Sequence, residues 1–221
     1  MDEDKSPSND IMEKVSKIVV GLILVGIIAL AWHREFFSEL PYNWFAQNFF
    51  VSEDTDSFDP GPAIGSHFPG LQAEYEGERL TLLTKFAGAA GTVLVVLRSL
   101  AESPLCQQQL LQLEALYPEF SAAGIGLVVI SPDEQSVQDT FAAEYGITLP
   151  LLSDTSALST ITLGVQDHAY TRTDSKYGTP YPGSLVISKD QKIVGKLFLE
   201  KENTRISATA TLSFARQLLQ H

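Results

Sequence analysis

The chain of 221 residues has very few side chains that form disulfides or bind metals. Its single cysteine, Cys106, excludes an intramolecular disulfide and a zinc site made only of cysteines. Four histidines are scattered without the spacing of metal ligands: His33, His67, His168 and His221. The sequence therefore predicts no metal centre.

Basic residues are also scarce, since 15 Lys and Arg stand against 27 Asp and Glu and the formal net charge is −12. Nucleic-acid affinity comes largely from Lys and Arg side chains that displace counterions from phosphates. We therefore expect no nucleic-acid partner. The hydrophobic fraction of 44% is high enough for a sizeable core and excludes wholesale disorder.

The longest apolar run without a formal charge covers residues 18–32. In a helix it spans about 22 Å, short of the ~30 Å hydrocarbon core, but neighbouring residues can extend it. The aromatic residues that suit a membrane interface are Trp32, Phe36, Phe37, Tyr42, Trp44 and Phe45. We therefore expect a single transmembrane helix at residues 17–36, with the lipid bilayer as a partner.

Two other interpretations of this apolar run stay open. Residues 29–31, Ala-Leu-Ala, resemble a signal-peptide cleavage site, and an apolar helix can also be buried in a core. Lys5, Lys14 and Lys17 precede the run, whereas Arg34 is the one basic residue close behind it. The positive-inside rule then predicts a cytoplasmic N-terminus and a C-terminal domain on the extracytoplasmic side.

Composition divides the chain into four predicted parts. Residues 1–16 form a cytoplasmic tail, 17–36 the anchor helix, 37–60 an aromatic and acidic interfacial linker, and 61–221 the folded domain. The stretch 41–50 is unusually hydrophobic for a linker and suits a membrane surface or a partner helix. The acidic stretch that follows is rich in Ser, Pro and Gly, as expected of a tether.

Strand and helix patterns alternate along the domain. Residues 91–97 and 124–130 are β-branched runs without alternation, typical of strands buried on both faces, and 104–122 has helical spacing. The later expected elements are helix 132–145, strand 149–152, helix 155–163, a hairpin of strands 184–188 and 193–199, and helix 206–219. Asp133 and Asp154 are expected to cap the helices that follow them. This order predicts an α/β fold with a central mixed sheet flanked by helices.

Four stretches of the domain carry a family resemblance. They are GSHFPGLQ (65–72), VVLRSLAESPLCQQQL (95–110), GIGLVVISPDEQSVQDTFAAEYGITLPLLSD (124–154) and YGTPYPGSLVISKDQKIVGKLF (177–198). Through them the segment from Gly65 to Leu212 resembles the alkyl hydroperoxide reductase/thiol-specific antioxidant branch of the peroxiredoxin-like proteins. The resemblance covers about two-thirds of the chain and implies a thioredoxin-like fold.

The motif Ser103-Pro104-Leu105-Cys106 follows a predicted strand and begins a predicted helix. A thiol at a helix N-terminus meets the positive end of the helix dipole, which stabilises the thiolate. Thiolate is the species that attacks peroxide and becomes a sulfenic acid. The resemblance to peroxiredoxins implies that Cys106 is the peroxidatic cysteine and that Ser103 hydrogen-bonds the peroxide.

A second alignment of the same motif has the opposite implication. Close relatives carry a Cys-Pro-x-Cys pair, in which Ser103 stands at the first cysteine and Cys106 at the second. The exposed nucleophile is then lost, and Cys106 is the more sheltered partner. A lone cysteine is also commonly a small buried hydrophobe.

The resemblance also assigns a loop beside the motif. Pro182 matches the cis-proline position of thioredoxins and occupies the place where peroxiredoxins carry their active-site arginine. Arg98 and Arg205 are the two arginines that could take that place. Tyr181, together with Tyr170, belongs to an aromatic loop that would contact a substrate or partner, with ordinary loop packing as the alternative.

Two functions therefore stay open. The first is a membrane-tethered one-cysteine thiol peroxidase acting through Cys106, without cofactor or metal, that needs an external thiol reductant because the chain has no second cysteine. The second is a catalytically degenerate thioredoxin-fold subunit or interaction module of a membrane protein complex.

Overall fold

The structure is a computed structural model that describes residues 49–200 and 203–220. The predicted tail at 1–16, the predicted anchor at 17–36 and the first half of the predicted linker, residues 37–48, lie outside these residues. No helix within the described residues is both long and apolar enough to cross a membrane.

Nine strands and four α-helices are present in the described residues. In chain order they are β1 (Phe50–Val51), β2 (Ala73–Tyr75), β3 (Glu78–Leu80), a 3-10 helix (Thr84–Phe86), β4 (Gly91–Val96), α1 (Pro104–Ala122), β5 (Ile125–Ser131), α2 (Gln135–Tyr145), β6 (Leu151–Ser153), α3 (Leu158–Thr162), β7 (Gly183–Ser188), β8 (Ile193–Phe198), β9 (Arg205–Ile206) and α4 (Ala208–Leu219). The helix predicted at 104–122 has the predicted bounds, and the other predicted elements differ by a few residues at their ends.

The central sheet has seven strands in the order β3-β2-β6-β5-β4-β7-β8. Strands β4, β5 and β6 are parallel, whereas β7 runs antiparallel to both β4 and β8. This arrangement confirms the predicted α/β fold with a central mixed sheet. Because β4 and β5 are parallel neighbours, the loops after them leave the same edge of the sheet.

Alternate side chains of β4 and β5 enter two separate cores. One core receives Val93, Val95, Leu127 and Val129, and the other receives Leu94, Val96, Val128 and Ile130. Leu110 and Leu113 of α1 and Leu212 of α4 close the first core, whereas Phe68 and Leu71 close the second. Burial on both faces explains why these strands are continuous Val, Leu and Ile runs without polar alternation.

The hairpin of β2 and β3 at the sheet edge was not expected from the sequence. Each strand has only three residues, too few for a clear period-two pattern. Glu76 and Gly77 form the turn with φ of 52° and 78°, the left-handed geometry that two-residue hairpin turns of type I′ require.

The carboxylate of Asp154 satisfies N–H groups in the first turn of α3, as the sequence predicted, although Ala157 occupies the N-cap position. Its Oδ1 accepts a hydrogen bond from the N–H of Ser159 at 3.0 Å, and its Oδ2 accepts from the N–H of Thr160 at 2.8 Å. Burial raises the pKa of the Asp154 carboxyl above its usual value, and these hydrogen bonds offset part of that effect. Ionisation of this carboxyl therefore lowers the unfolding free energy.

This raised pKa makes a pH-dependent prediction for Asp154→Asn, whose amide does not titrate. At pH values between 3.8 and the raised pKa, the folded state keeps the Asp154 proton, whereas the unfolded state has released it. The unfolding free energy of the native chain, minus that of the variant, should therefore fall as pH rises from 3.8 towards the folded-state pKa. The slope is at most about 1.4 kcal/mol per pH unit, measured by denaturant unfolding. A difference that increases with pH would contradict the prediction.

The described part of the predicted linker is bound to the domain; we call residues 50–60 the strap. It starts with β1, which pairs in parallel with β9, Phe50 opposite Arg205 and Val51 opposite Ile206. The segment that was expected to act as a tether is therefore part of the folded domain from Phe50 onward.

Acidic side chains of the strap satisfy the open edge of the sheet. The Oδ2 of Asp54 accepts a hydrogen bond from the N–H of Phe198 at 3.2 Å, and the Oδ2 of Asp56 accepts from the N–H of Glu200 at 3.0 Å. Burial raises the pKa of Asp54, with the N–H of Phe198 as the main opposing contact. Unpaired edge N–H groups favour association with other chains, so these carboxylates also cover that edge.

A buried ammonium holds the far end of the strap. The Nζ of Lys196 lies 2.7 Å from the Oδ1 of Asp59, and the side chains are 3% and 65% exposed, respectively. The same Nζ donates to the carbonyl oxygens of Asp59 and Pro60 at 3.4 and 3.3 Å. The buried ammonium of Lys196 therefore receives its charge and hydrogen-bond partners from the strap, whereas the carboxylate of Asp59 is also accessible to water.

The two partners of this ion pair should differ when removed singly. Asp59→Asn leaves a buried ammonium without its carboxylate and should lower the unfolding free energy by roughly 1–3 kcal/mol. Lys196→Met leaves an exposed carboxylate in water and should cost less. Denaturant unfolding of both variants tests the asymmetry, with Asp190→Asn in the exposed β7–β8 turn as the control. Equal losses for the two variants would contradict it.

Candidate functional site

The Ser-Pro-Leu-Cys motif forms the first turn of α1. Ser103 is the N-cap in extended geometry, and its Oγ accepts a hydrogen bond from the N–H of Cys106 at 3.3 Å. Pro104 follows at the first helical position, where its missing N–H costs nothing. The motif therefore determines where the loop after β4 ends and where α1 begins.

The two ends of the motif have different surroundings. Cys106 is 0% exposed and belongs to the core that α1 forms with the sheet, beside Leu110. The Nη2 of Arg205, which is 3% exposed, lies 3.9 Å from the Cys106 sulfur. Ser103 is partly exposed and lines a cavity of about 230 Å³, whereas Cys106 does not line it.

The turn before the motif is fixed by Asp133, which the sequence assigned to a different role. Asp133 does not cap α2, which starts only at Gln135. Instead its carboxylate accepts hydrogen bonds from the N–H of Leu100 at 2.6 Å, the N–H of Ala101 at 3.2 Å and the hydroxyl of Ser99 at 2.7 Å. The predicted capping was wrong because the carboxylate faces the loop after the neighbouring parallel strand.

Both arginines that the sequence left as candidates reach the cavity. Arg98 follows β4, and its Nη1 forms an ion pair with the Oδ2 of Asp167 at 3.0 Å, while its Nη2 donates to the hydroxyl of Tyr170 at 3.2 Å. Asp167 is 2% exposed, so this ion pair is shielded from water. Arg205 and Arg98 both line the cavity together with Lys176.

The loop assigned to substrate or partner binding has two parts. Tyr170 lines the cavity. Tyr181 packs edge-on against Phe58 of the strap, with ring centroids 4.7 Å apart, and its hydroxyl accepts from the N–H of His168 at 3.2 Å. Pro182 is buried and does not line this cavity, and its preceding peptide bond is trans, as are the others in the described residues. A binding role for Tyr181 and Pro182 stays a prediction.

Within residues 49–200 and 203–220, no group of His, Cys, Asp and Glu side chains is arranged to hold a metal ion. Lys176 and Asp167 were not expected at the site. They lie in a segment of about twenty residues between α3 and β7 that has no regular structure, so no periodic pattern points to them. Asp133 could have been found, because it follows the strand beside β4 and the carboxyl ends of parallel strands share one edge.

The Asp133 contacts predict that Asp133→Asn loosens the turn before α1. An amide has one oxygen acceptor where the carboxylate has two, and its NH₂ group would face a backbone N–H. The unfolding free energy should fall by roughly 1–3 kcal/mol. Hydrogen exchange at the amides of Leu100 and Ala101 should accelerate, whereas the exposed Asp139→Asn change on α2 should leave both amides protected. Unchanged exchange in Asp133→Asn would contradict this assignment.

Comparison with known proteins agrees with this architecture. The AhpC/TSA family matches residues 64–196 of the chain. No curated protein matches.

Solved structures with the same fold include a peroxiredoxin-like protein from Aquifex aeolicus, with 16% identity, TM-score 0.59, and 72% of this chain and 90% of that chain covered. Peroxidoxin BcpB from Mycobacterium tuberculosis has 22% identity, TM-score 0.55, and 74% and 97% coverage. Reduced Prx3 in complex with H₂O₂ from Vibrio vulnificus has 17% identity, TM-score 0.60, and 72% and 99% coverage. Since the family match spans more than half of the chain, the chain belongs to the AhpC/TSA family and has its thioredoxin-like fold.

Proposed function

We propose that this chain is a membrane-anchored, non-catalytic binding module of the AhpC/TSA family. One observation carries the proposal: in the Ser-Pro-Leu-Cys motif the hydroxyl of Ser103 lines the cavity, while the sulfur of Cys106 is fully buried outside it. Close relatives with a Cys-Pro-x-Cys pair would present a thiol where this chain presents a hydroxyl.

Peroxide reduction requires a thiolate that the peroxide can reach. A peroxide in the cavity meets Ser103, whose Oγ already accepts the N–H of Cys106 and which is not oxidised by peroxide. The Cys106 side chain is 0% exposed, so a peroxide reaches its sulfur only when the surrounding structure opens locally. An opening free energy of about 3 kcal/mol would leave the sulfur exposed about 1% of the time.

The membrane part of the proposal rests on the sequence. The uncharged run at 18–32, its aromatic flank and the three preceding lysines favour a single span with a cytoplasmic N-terminus and an extracytoplasmic domain. Other subunits of a membrane protein complex would then be the partners of the domain. Protease protection of the domain in sealed vesicles tests this orientation.

A second candidate, the one-cysteine thiol peroxidase, is favoured by the contact between Arg205 and the Cys106 sulfur. The thiolate would attack one peroxide oxygen, the O–O bond would break, and the sulfur would be oxidised to a sulfenic acid. The other oxygen would leave with a proton as water or an alcohol. Two equivalents of an external thiol would then reduce the sulfenic acid to the thiol, with release of water and formation of their disulfide.

Intact mass after peroxide treatment separates the two candidates. The full chain in non-ionic detergent is reduced, mixed with stoichiometric H₂O₂ and followed from seconds to minutes. We expect no added oxygen on the native chain, because the sulfur is buried. Ser103→Cys should gain one oxygen within seconds as a sulfenic acid, since it restores a thiol at the cavity. This sulfenic acid should then release water as it forms a disulfide with Cys106, so the final mass is two hydrogens below that of the reduced chain.

Cys106→Ser is the control that identifies the oxidised atom. Rapid oxidation of the native chain that is absent in Cys106→Ser would overturn the binding-module proposal in favour of the peroxidase. The Ser103→Cys variant shows that the peroxide and the time scale suffice, so an inert native chain is an informative result.

A further inference from the structure

We propose that the strap is an autoinhibitory contact that keeps the Cys106 thiol out of reach of reagents in solution. It acts through β9, the short strand that pairs with β1 and lies beside the first turns of α1. The inference goes beyond the proposed function, because it concerns what controls access to the sulfur and does not concern the ligand of the cavity.

One face of α1 contacts β9. The Nη2 of Arg205 lies 3.9 Å from the Cys106 sulfur. Three residues further along the helix, the Nε2 of Gln109 donates a hydrogen bond to the carbonyl of Ile206 at 3.3 Å. Helical residues that are three positions apart lie on the same face. β9 therefore runs along the side of α1 that carries the sulfur, and Arg205 is among the groups that cover it.

The contact between α1 and this part of the chain continues past β9. The N–H of Ala208, at the start of α4, donates a hydrogen bond to the Oε1 of Gln112 at 3.4 Å, and Gln112 follows Gln109 by three residues. Residues 205–208 are thus held at three successive points of one helix face. The two amide hydrogen bonds join neutral groups, which makes them weaker than charge-assisted hydrogen bonds.

β9 belongs to a part of the domain with few buried contacts. It has two residues and pairs with β1 in a two-stranded sheet that is separate from the seven-stranded sheet. Ile206 is buried in a cluster of three residues with Leu197 and Leu199, whereas Cys106 belongs to the large core between α1 and the central sheet. Short ladders with few buried contacts open at a lower free energy than central strands. We therefore expect β9 to open before the central sheet does.

The strap determines how firmly β9 is held. The carbonyl of Val51 accepts a hydrogen bond from the N–H of Ser207 at 2.9 Å. Beyond this ladder, the strap is bound to β8 through Asp54 and to the buried ammonium of Lys196 through Asp59. β9 is therefore paired with a segment that is itself anchored at two further points. Release of the strap would leave β9 without a strand partner within residues 49–200 and 203–220.

The rate of thiol labelling measures this opening. The full chain in non-ionic detergent is reduced and mixed with excess N-ethylmaleimide, and intact mass follows the addition of one maleimide. Cys106→Ser is the control for reaction at other groups. Val51→Pro lacks the N–H that a strand residue donates to its ladder. We expect this variant to be labelled roughly tenfold faster than the native chain, as for the loss of one hydrogen bond.

Val51→Ala is the matched control for this variant. It keeps the backbone N–H, and because the Val51 side chain is 36% exposed, its truncation removes little burial. This variant should therefore be labelled at nearly the native rate.

Gly77→Ala distinguishes local opening from a general loss of stability. Gly77 has a φ of 78°, which alanine adopts only with strain, and it lies in the β2–β3 turn at the opposite edge of the sheet. The unfolding midpoint of this variant should fall, whereas its labelling should stay slow. Equal acceleration by Gly77→Ala and Val51→Pro would overturn the proposal, as would a Val51→Pro variant that is labelled at the native rate.

The native chain allows a second test without any substitution. Since one opening event is proposed to free both the N–H of Ser207 and the Cys106 sulfur, hydrogen exchange of that amide and maleimide labelling should be slowed by the same factor relative to the unfolded chain. A Ser207 amide that is slowed at least tenfold less than the sulfur would show that other structure protects Cys106. That result would overturn this inference and leave the proposed function in place, because the proposed function requires only a buried sulfur.

Discussion

The hydrogen bonds from the turn at 99–101 to the carboxylate of Asp133 determine where β4 gives way to α1. Two backbone N–H groups and one hydroxyl converge on that carboxylate, which is itself held at the end of β5. Because β4 and β5 are paired in parallel, the acceptor and the turn are fixed relative to each other by the sheet. The start of α1, and with it the positions of Ser103 and Cys106, follows from this contact.

That helix start explains why the Ser-Pro-Leu-Cys motif is divided between cavity and core. The N-cap residue lies outside the helix and can face solvent, whereas the residue three positions later lies on the first turn. In this chain that turn packs its third residue against the sheet, and Cys106 is consequently enclosed with Leu110. Replacing a thiol by a hydroxyl at the N-cap changes the chemistry of the cavity and keeps the backbone geometry, since serine is a preferred cap.

The strands and helices were largely predictable because their signals are local. Strand β4 is buried on both faces, which produces its uninterrupted Val and Leu run. Helix 104–122 is buried on one face, which produces apolar residues at helical spacing. The β2–β3 hairpin escaped because three-residue strands carry too little pattern, although Glu76 and Gly77 mark its turn.

The site was only partly predictable for a different reason. Ser103 and Cys106 could be found from the motif, but their unequal exposure depends on how α1 packs. Arg205 contacts the Cys106 sulfur because β9 pairs with β1, an association of residues about 150 positions apart that no local pattern encodes. The wrong role for Asp133 has the same origin, since its partners belong to another loop.

The strap holds in place the strand that carries Arg205. β1 pairs with the strand that carries Arg205, and the carbonyl of Val51 also accepts the N–H of Ser207, the N-cap of α4. The backbone that carries Arg205 to the Cys106 sulfur is therefore held by residues of the strap, and loss of the β1–β9 pairing would release it.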